Sequence, residues 1–254
     1  MGRHTHVPPG YSHDLVLGIN LTRRCNLACR HCNRLIDAVR FTEDDVTVQQ
    51  VSDAIDLLAE RGVFIRTVKF NGGEPTLVPW LVEACRVARS KPNVGRVRVS
   101  TNGTIPMPAL PRGCRYRISP PDGDEKRGHV PFLVSPMEAG IQPIGRRHRC
   151  HFRRLCGIAL DREGFTFCLI AGGLGRLLGI NVYGDPLAGR NDCVCRHCVA
   201  GLCKGLDDIE SWSGLSQLVA SGGLRCPSPF FARLLRCWRS GNTFPYPLPA
   251  WRRS

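Results

Sequence analysis

The sequence predicts an α/β fold, a partial and abbreviated barrel on a mostly parallel sheet with a small cysteine-rich extension behind it. Three observations predict it. Short apolar runs rich in β-formers alternate with stretches of three- and four-residue apolar spacing as far as about residue 100. Residues able to carry chemistry stand directly after each of those runs. Past about residue 146 cysteines become dense and the alternation stops.

Residues 1–13 carry histidine, proline and glycine without periodicity and read as an irregular arm. "DLVLGINLT" (14–22) is suited to a buried strand. A three-cysteine loop follows, and then Thr42 is placed to cap a helix whose Val48, Val51, Ile55 and Leu58 share a face and which Gly62 ends. "VFIRTVKF" (63–70) predicts a second strand, 78–90 a second helix with Trp80, Leu81, Ala84 and Val87 on one face, and "RVRVS" (96–100) a third strand. This order is that of right-handed crossovers on a parallel sheet. "YRIS" (116–119) and "PFLVS" (131–135) predict further strands joined by Pro- and Gly-rich segments without a good helix, so the second half is abbreviated. "CGIALDREGFTFC" (156–168) reads as a hairpin turning at "DREG". Amphipathic pieces at 208–221 and 229–239 suit closing helices, and the tail "FPYPLPAWRRS" an extended segment. The expected organisation is an arm at 1–13, a core at 14–145 and a cysteine-rich extension at 146–254.

At 254 residues the chain is long enough to bury a core without disulfides, so its 14 cysteines need another reason. Their clustering as C-x3-C-x2-C and C-x-C-x2-C, with no cationic start leading into a long apolar run, argues against a secreted disulfide framework. A reducing cytoplasm and metal or cluster ligation are expected. No stretch approaches the roughly 18 apolar residues of a membrane span. The net charge of +14 points toward a polyanionic partner such as nucleic acid. Lysine stands only at 69, 91, 126 and 204, leaving arginine the other 31 of 35 positive residues, a skew that GC-rich codon usage would also give. The densest patch, "GRRHRCHFRR" (145–154), suits phosphates, carboxylates or plain solvent.

Cys25, Cys29 and Cys32 lie in "LTRRCNLACRHCNRL" (21–35). Three thiolates from one loop suit a cubane [4Fe–4S] cluster with one iron left open, since such clusters normally take four cysteines. Zinc is the alternative, with His31 as a fourth ligand, but the loop lacks paired C-x2-C spacing. The stretch resembles the radical S-adenosylmethionine (radical SAM) superfamily, whose C-x3-C-x-φ-C motif is matched by Cys25, Cys29 and Cys32, with His31 at the aromatic position. "FNGGEPTL" after the second strand resembles the family's Gly-Gly-Glu motif at Gly72, Gly73 and Glu74, and "STNGT" (100–104) is another sequence frequent in it.

The resemblance implies a partial (β/α)6-type barrel with its motifs at the carboxyl ends of strands. It further implies that S-adenosylmethionine chelates the open iron, that the backbone at Gly72 and Gly73, with Glu74, accepts hydrogen bonds from its ammonium, and that His31, Asn102 and Ser119 lie near it, Ser119 at the ribose. Arg117 is a weaker candidate. The implied activity is reductive cleavage of S-adenosylmethionine to a 5′-deoxyadenosyl radical that abstracts a substrate hydrogen, with flavodoxin or ferredoxin as electron donor.

Hairpin pairing predicts that Cys156 and Cys168 lie close together, and Cys195 and Cys198 add a C-x2-C pair. Together they make a closed site for a second [4Fe–4S] cluster or for structural zinc. The arrangement resembles the twitch or SPASM auxiliary-cluster extensions, with one cluster fitting better than two. Cys150, Cys193 and Cys203 are alternates. Cys85, Cys114, Cys226 and Cys237 read as free thiols, Cys85 packing on a helix. The expected substrate is a peptide or small metabolite; neither end leaves length for a leader-recognition domain, which weighs against a ribosomal-peptide maturase. A nucleotide or nucleic-acid base is the alternative substrate. From another class, a zinc-dependent nucleic-acid-binding module without catalysis fits the Cys, His and Arg content but gives Gly72–Glu74 no role.

Overall fold

The computed structural model describes residues 7–27, 45–119, 157–178 and 181–188. The predicted strand at 131–135, the closing helices and the tail lie outside them. The described elements are β1 (His13–Thr22), α1 (Val48–Glu60), β2 (Val63–Gly72), a single 3-10 turn (Pro75–Leu77), α2 (Leu81–Ser90), β3 (Val97–Thr101), β4 (Cys114–Ile118), β5 (Ile158–Asp161), β6 (Gly164–Thr166) and α3 (Ala171–Leu178). The strands form one sheet in the order β4-β3-β2-β1-β5-β6. All pairings are parallel except that of β5 with β6. The α/β class and the mostly parallel sheet agree with the sequence, and the parallel strands β1 to β5 bring their carboxyl ends to one edge.

Leu17, Ile19 and Leu21 of β1 are fully buried at the two-residue period of a strand. In β2 the buried positions step from Val63 and Ile65 to Val68 and Phe70, a change of parity. The register explains it: Leu15 pairs with Ile65 and Val16 with Thr67, so Arg66 is one extra residue and the bulge returns the next apolar side chains to the core. Val51, Ala54, Ile55 and Leu58 of α1 and Leu81, Ala84, Cys85 and Ala88 of α2 pack into the same core. Truncating Ile55 or Leu58 to Ala would cost about 2–5 kcal/mol.

Two expectations about the helices are corrected. Thr47 caps α1, not Thr42, through a capping box: its hydroxyl accepts from Gln50 N at 3.1 Å while the Gln50 side chain accepts from Thr47 N at 3.0 Å. The second helix begins at Leu81 rather than near 78, because Pro79 holds Val78 in an extended conformation. Trp80 occupies the N-cap position without a capping side-chain hydrogen bond and donates its indole N–H to Val46 O at 3.2 Å, and the buried stripe runs through Cys85 and Ala88 rather than Val87. The predicted hairpin is present, with Asp161 opposite Gly164, and β5 pairs in parallel with β1, so it extends the core sheet. No helix among the described residues is long and apolar enough to cross a membrane.

Candidate active site

The entry to the cysteine loop is fixed at the carboxyl end of β1. Val46 N donates to Leu21 O at 2.9 Å, the Thr22 hydroxyl donates to Asp45 Oδ1 at 2.5 Å and accepts from Arg24 N at 3.0 Å, and the Arg24 guanidinium pairs with Asp45. Asp45 and Thr22 are buried, so this ion pair and its hydroxyl partner are shielded on one side from water. The loop thereby leaves the sheet already anchored to the residues that lead into α1.

The end of β2 lies directly against this entry. Gly73 N donates to Thr22 O and Glu74 N to Arg24 O, each at 2.8 Å. A Cβ on Gly72, whose φ is 144°, would stand 2.3 Å from Thr22 O, and one on Gly73 would stand 2.0 Å from Arg24 O. Both glycines are therefore required for two stretches of backbone to meet, which is a use the sequence does not reveal.

Glu74 is fully buried. Its Oε1 accepts from Thr76 N at 3.1 Å, from the Thr76 hydroxyl at 2.7 Å and from the Thr101 hydroxyl at 2.7 Å, while Oε2 accepts from Asn102 N at 2.7 Å. A buried carboxylate needs such a donor set to offset its desolvation. It ties the turn after β2 to the end of β3. Asn102 then reaches back to the cysteine loop: Nδ2 donates to Asn26 Oδ1 at 2.9 Å and to Cys25 Sγ at 3.9 Å.

A second polar group joins the same edge from the hairpin. Asn20 donates to Asp161 Oδ1 at 2.5 Å, Tyr183 OH donates to Asp161 Oδ2 at 3.2 Å, and the Arg23 guanidinium pairs with Glu163. Burial works against the charge of Arg23, but the hydrogen bond and charge of Glu163, aided by Asp161 and Tyr183, outweigh it and hold the guanidinium above its ordinary range. Cys168, half-buried, follows β6, and its carbonyl accepts from the Thr166 hydroxyl at 2.9 Å and from Ala171 N at 3.1 Å.

Of the residues expected to form the site, Cys25, Gly72, Gly73, Glu74 and Asn102 come together across β1, β2 and β3. Ser119 is one strand further out, after the edge strand β4; it is exposed, and its N–H donates to Thr101 O at 2.7 Å. Cys29, His31, Cys32, Cys156, Cys195 and Cys198 lie outside the described residues, as does the arginine patch at 145–154. Asn26, Asp45, Thr101, Thr104, Asp161 and Glu163 are participants that sequence reasoning missed. Asn26 beside Cys25, and Thr101 and Thr104 inside "STNGT", stood within motifs already singled out; Asp45, Asp161 and Glu163 become partners only through the fold.

The amide N–H of Asn102 directed at Cys25 Sγ suits a sulfur that ligates an iron–sulfur cluster. The model of the radical SAM superfamily matches residues 19–118. The GTP 3′,8-cyclase of Chlorobaculum tepidum is 39% identical over 87 residues, 34% of this chain and 25% of that protein. The Fe-coproporphyrin III synthase of Methanosarcina barkeri is 40% identical over 86 residues, 34% of this chain and 20% of that protein. This chain thus spans no more than about a quarter of the length of these relatives. Among solved structures, that of BtrN in complex with AdoMet and 2-DOIA aligns over 37% of this chain and 36% of that one, at 19% identity and a TM-score of 0.30. Over residues 19–118 the chain is similar to the radical SAM superfamily.

Proposed function

We propose that the chain is a radical SAM enzyme whose Cys25, Cys29 and Cys32 hold a [4Fe–4S] cluster at the carboxyl edge of the sheet. The observation that carries this reading is the hydrogen-bonded convergence of the Cys25 corner, Glu74 and Asn102 from three different strand ends. When bound, the cluster supplies one electron that cleaves S-adenosylmethionine to methionine and a 5′-deoxyadenosyl radical, which takes a hydrogen atom from the substrate. The protein's share is placement. Gly72 and Gly73 bring the β2 end against the cysteine loop, Glu74 holds the β3 end to it, His31 takes the aromatic position of the motif, and Ser119 is assigned to the ribose.

Residues 14–145 form the catalytic core in this reading, and 146–254 a twitch-like extension in which Cys156, Cys168, Cys195 and Cys198 hold a second [4Fe–4S] cluster or zinc. A flavodoxin or ferredoxin supplies the electron, in a reducing cytoplasm. The substrate is a peptide or small metabolite. The names of the two relatives give different reactions at nearly equal identity, cyclisation of GTP in one and synthesis of Fe-coproporphyrin III in the other, which supports placing substrate choice outside the matched segment. A nucleotide or nucleic-acid base is the second reading, favoured by the charge of +14 and the arginines of 145–154. Retention on nucleic acid at low salt, lost when Arg146, Arg147, Arg153 and Arg154 become Ala, supports it; no retention removes it.

The deciding experiment is anaerobic purification with iron and sulfide analysis, then incubation with dithionite and S-adenosylmethionine. About four irons and four sulfides per cluster and formation of 5′-deoxyadenosine are expected. Zinc without sulfide overturns the reading in favour of a zinc-dependent nucleic-acid-binding module.

A further inference from the structure

We propose that Asn102 tunes the reduction of the cluster by donating a side-chain N–H to the sulfur of Cys25. The inference rests on the reading of Cys25 as a cluster ligand and adds a role for a residue that does not ligate.

The orientation of the amide is determined by its surroundings. Asn102 Oδ1 accepts from Thr104 N at 2.9 Å and from the Thr104 hydroxyl at 2.6 Å. Both are donors, so the oxygen faces Thr104 and the NH2 group faces the other way, toward Asn26 and Cys25. The Thr104 hydroxyl accepts from Asn26 Nδ2 at 2.7 Å, and Asn26 Oδ1 accepts from Asn102 Nδ2 at 2.9 Å. Asn26, Asn102 and Thr104 thus close a ring of three hydrogen bonds that uses one N–H of Asn102 and leaves the second directed at Cys25 Sγ, 3.9 Å from Nδ2. The backbone beneath is fixed as well, because Asn102 N donates to the buried Glu74 carboxylate and Gly103 N to the Thr101 hydroxyl at 3.1 Å.

All the hydrogen-bonding capacity of the Asn102 side chain, two N–H groups and two lone pairs, is met by protein partners. That leaves none for S-adenosylmethionine, to which the family resemblance assigns this residue. What the amide does in this geometry is place the positive end of an N–H dipole on a ligand sulfur. Adding one electron makes the cluster and its thiolates more negative, so the N–H stabilises the reduced form more than the oxidised one and favours uptake of the electron. Glu74 acts one step further back, as a positioning residue that keeps the 102–104 turn in register with the loop.

The test compares wild type with Asn102→Asp and Asn102→Leu as reconstituted, full-length proteins. The readouts are iron and sulfide content and the midpoint potential of the cluster whose EPR signal S-adenosylmethionine perturbs, reduced by dithionite one electron at a time. Asp retains the acceptor facing Thr104 and loses both N–H groups. Both variants are expected to hold the cluster and to shift its reduction equilibrium toward the oxidised form by roughly threefold to tenfold, tenfold corresponding to about 59 mV for one electron. Asp should shift it further because it adds a negative charge. Thr104→Val, which removes the hydroxyl but not the backbone of the turn, should give a smaller shift in the same direction, and it carries the test if an Asn102 variant loses the cluster. A midpoint equal to wild type in every variant that holds the cluster overturns the proposal and leaves the enzyme assignment intact. Absence of an iron–sulfur cluster from the wild type overturns both.

Discussion

Two thiol-bearing regions of this domain differ in almost every physical respect. Cys25 stands at the carboxyl edge of the sheet, half-buried, with an amide N–H directed at its sulfur. Cys85 lies in the buried stripe of α2, with no exposure, and the Cys114 thiol donates to its carbonyl at 3.8 Å. Burial, reinforced by Cys114, pushes the Cys85 thiol up to about 12. One sulfur faces an amide N–H, while the surroundings of the other oppose its ionisation. Sequence already separates the two, Cys25 within a ligand motif and Cys85 on an apolar helix face; the fold adds a hydrogen-bond donor at one sulfur and an apolar lining at the other.

The largest effect should come from breaking the Cys25 side of the contrast. Cys25→Ala is expected to lose the cluster and to reduce 5′-deoxyadenosine formation at least about a hundredfold, since one of the three proposed ligands is removed. Cys85→Ala should retain wild-type iron and sulfide content. Equal cluster content in both variants would refute the division between them.

Next in size is the bracket behind Cys25. Glu74→Gln keeps the shape but replaces one accepting oxygen with an NH2 group facing donors. In a fully buried position this should cost about 3 kcal/mol, seen as a lower urea midpoint under anaerobic conditions. An unchanged midpoint would mean that the carboxylate does not hold the strand ends together.

How much of this was legible beforehand follows from the same physics. β1, β2 and β3 and both long helices could be read because their burial is periodic and local. The cap of α1 was legible too, as the T-x-x-Q of Thr47 and Gln50, yet Thr42 offered an equally plausible hydroxyl upstream. The motif residues Gly72, Gly73, Glu74 and Asn102 could be picked out, but not their partners. That a Cβ on Gly73 meets Arg24 O, or that Glu74 faces Thr101, depends on which strands are neighbours and on their register. The parallel addition of the hairpin to β1 is equally non-local: nothing in "CGIALDREGFTFC" names Leu17, Gly18 and Ile19 as its partners.

On the buried side of the contrast the effects are smaller. Cys85→Ala should destabilise the fold by about 1 kcal/mol. A more direct measure is alkylation at pH 8, where a thiol near 12 is ionised in about one molecule in ten thousand. Iodoacetamide should leave Cys85 unmodified in the native protein and label it in urea, as read by peptide mass spectrometry. Rapid native labelling would contradict its burial.

The smallest expected effect lies at an ion pair remote from both thiols. Arg61, which follows α1, makes a two-pronged contact with Asp185, the second prong at 3.0 Å, joining the end of the helix to the 181–188 segment. The Arg61 hydrogen bonds, then the N–H of Leu187, hold the Asp185 carboxyl down at about 2, below its ordinary 3.8. A depressed carboxylate contributes stability above its unfolded value and loses it as the pH falls from about 3.8 through about 2. Asp185→Asn should therefore lower stability by a small constant amount above about pH 3.8 and flatten the acid limb in that window, so that wild type and variant converge as the pH falls through about 2. Because both partners are exposed, water and salt screen the pair, and the difference between wild type and variant should shrink further at 1 M salt. A difference that persists undiminished in high salt would indicate that the segment is held by something other than this charge pair.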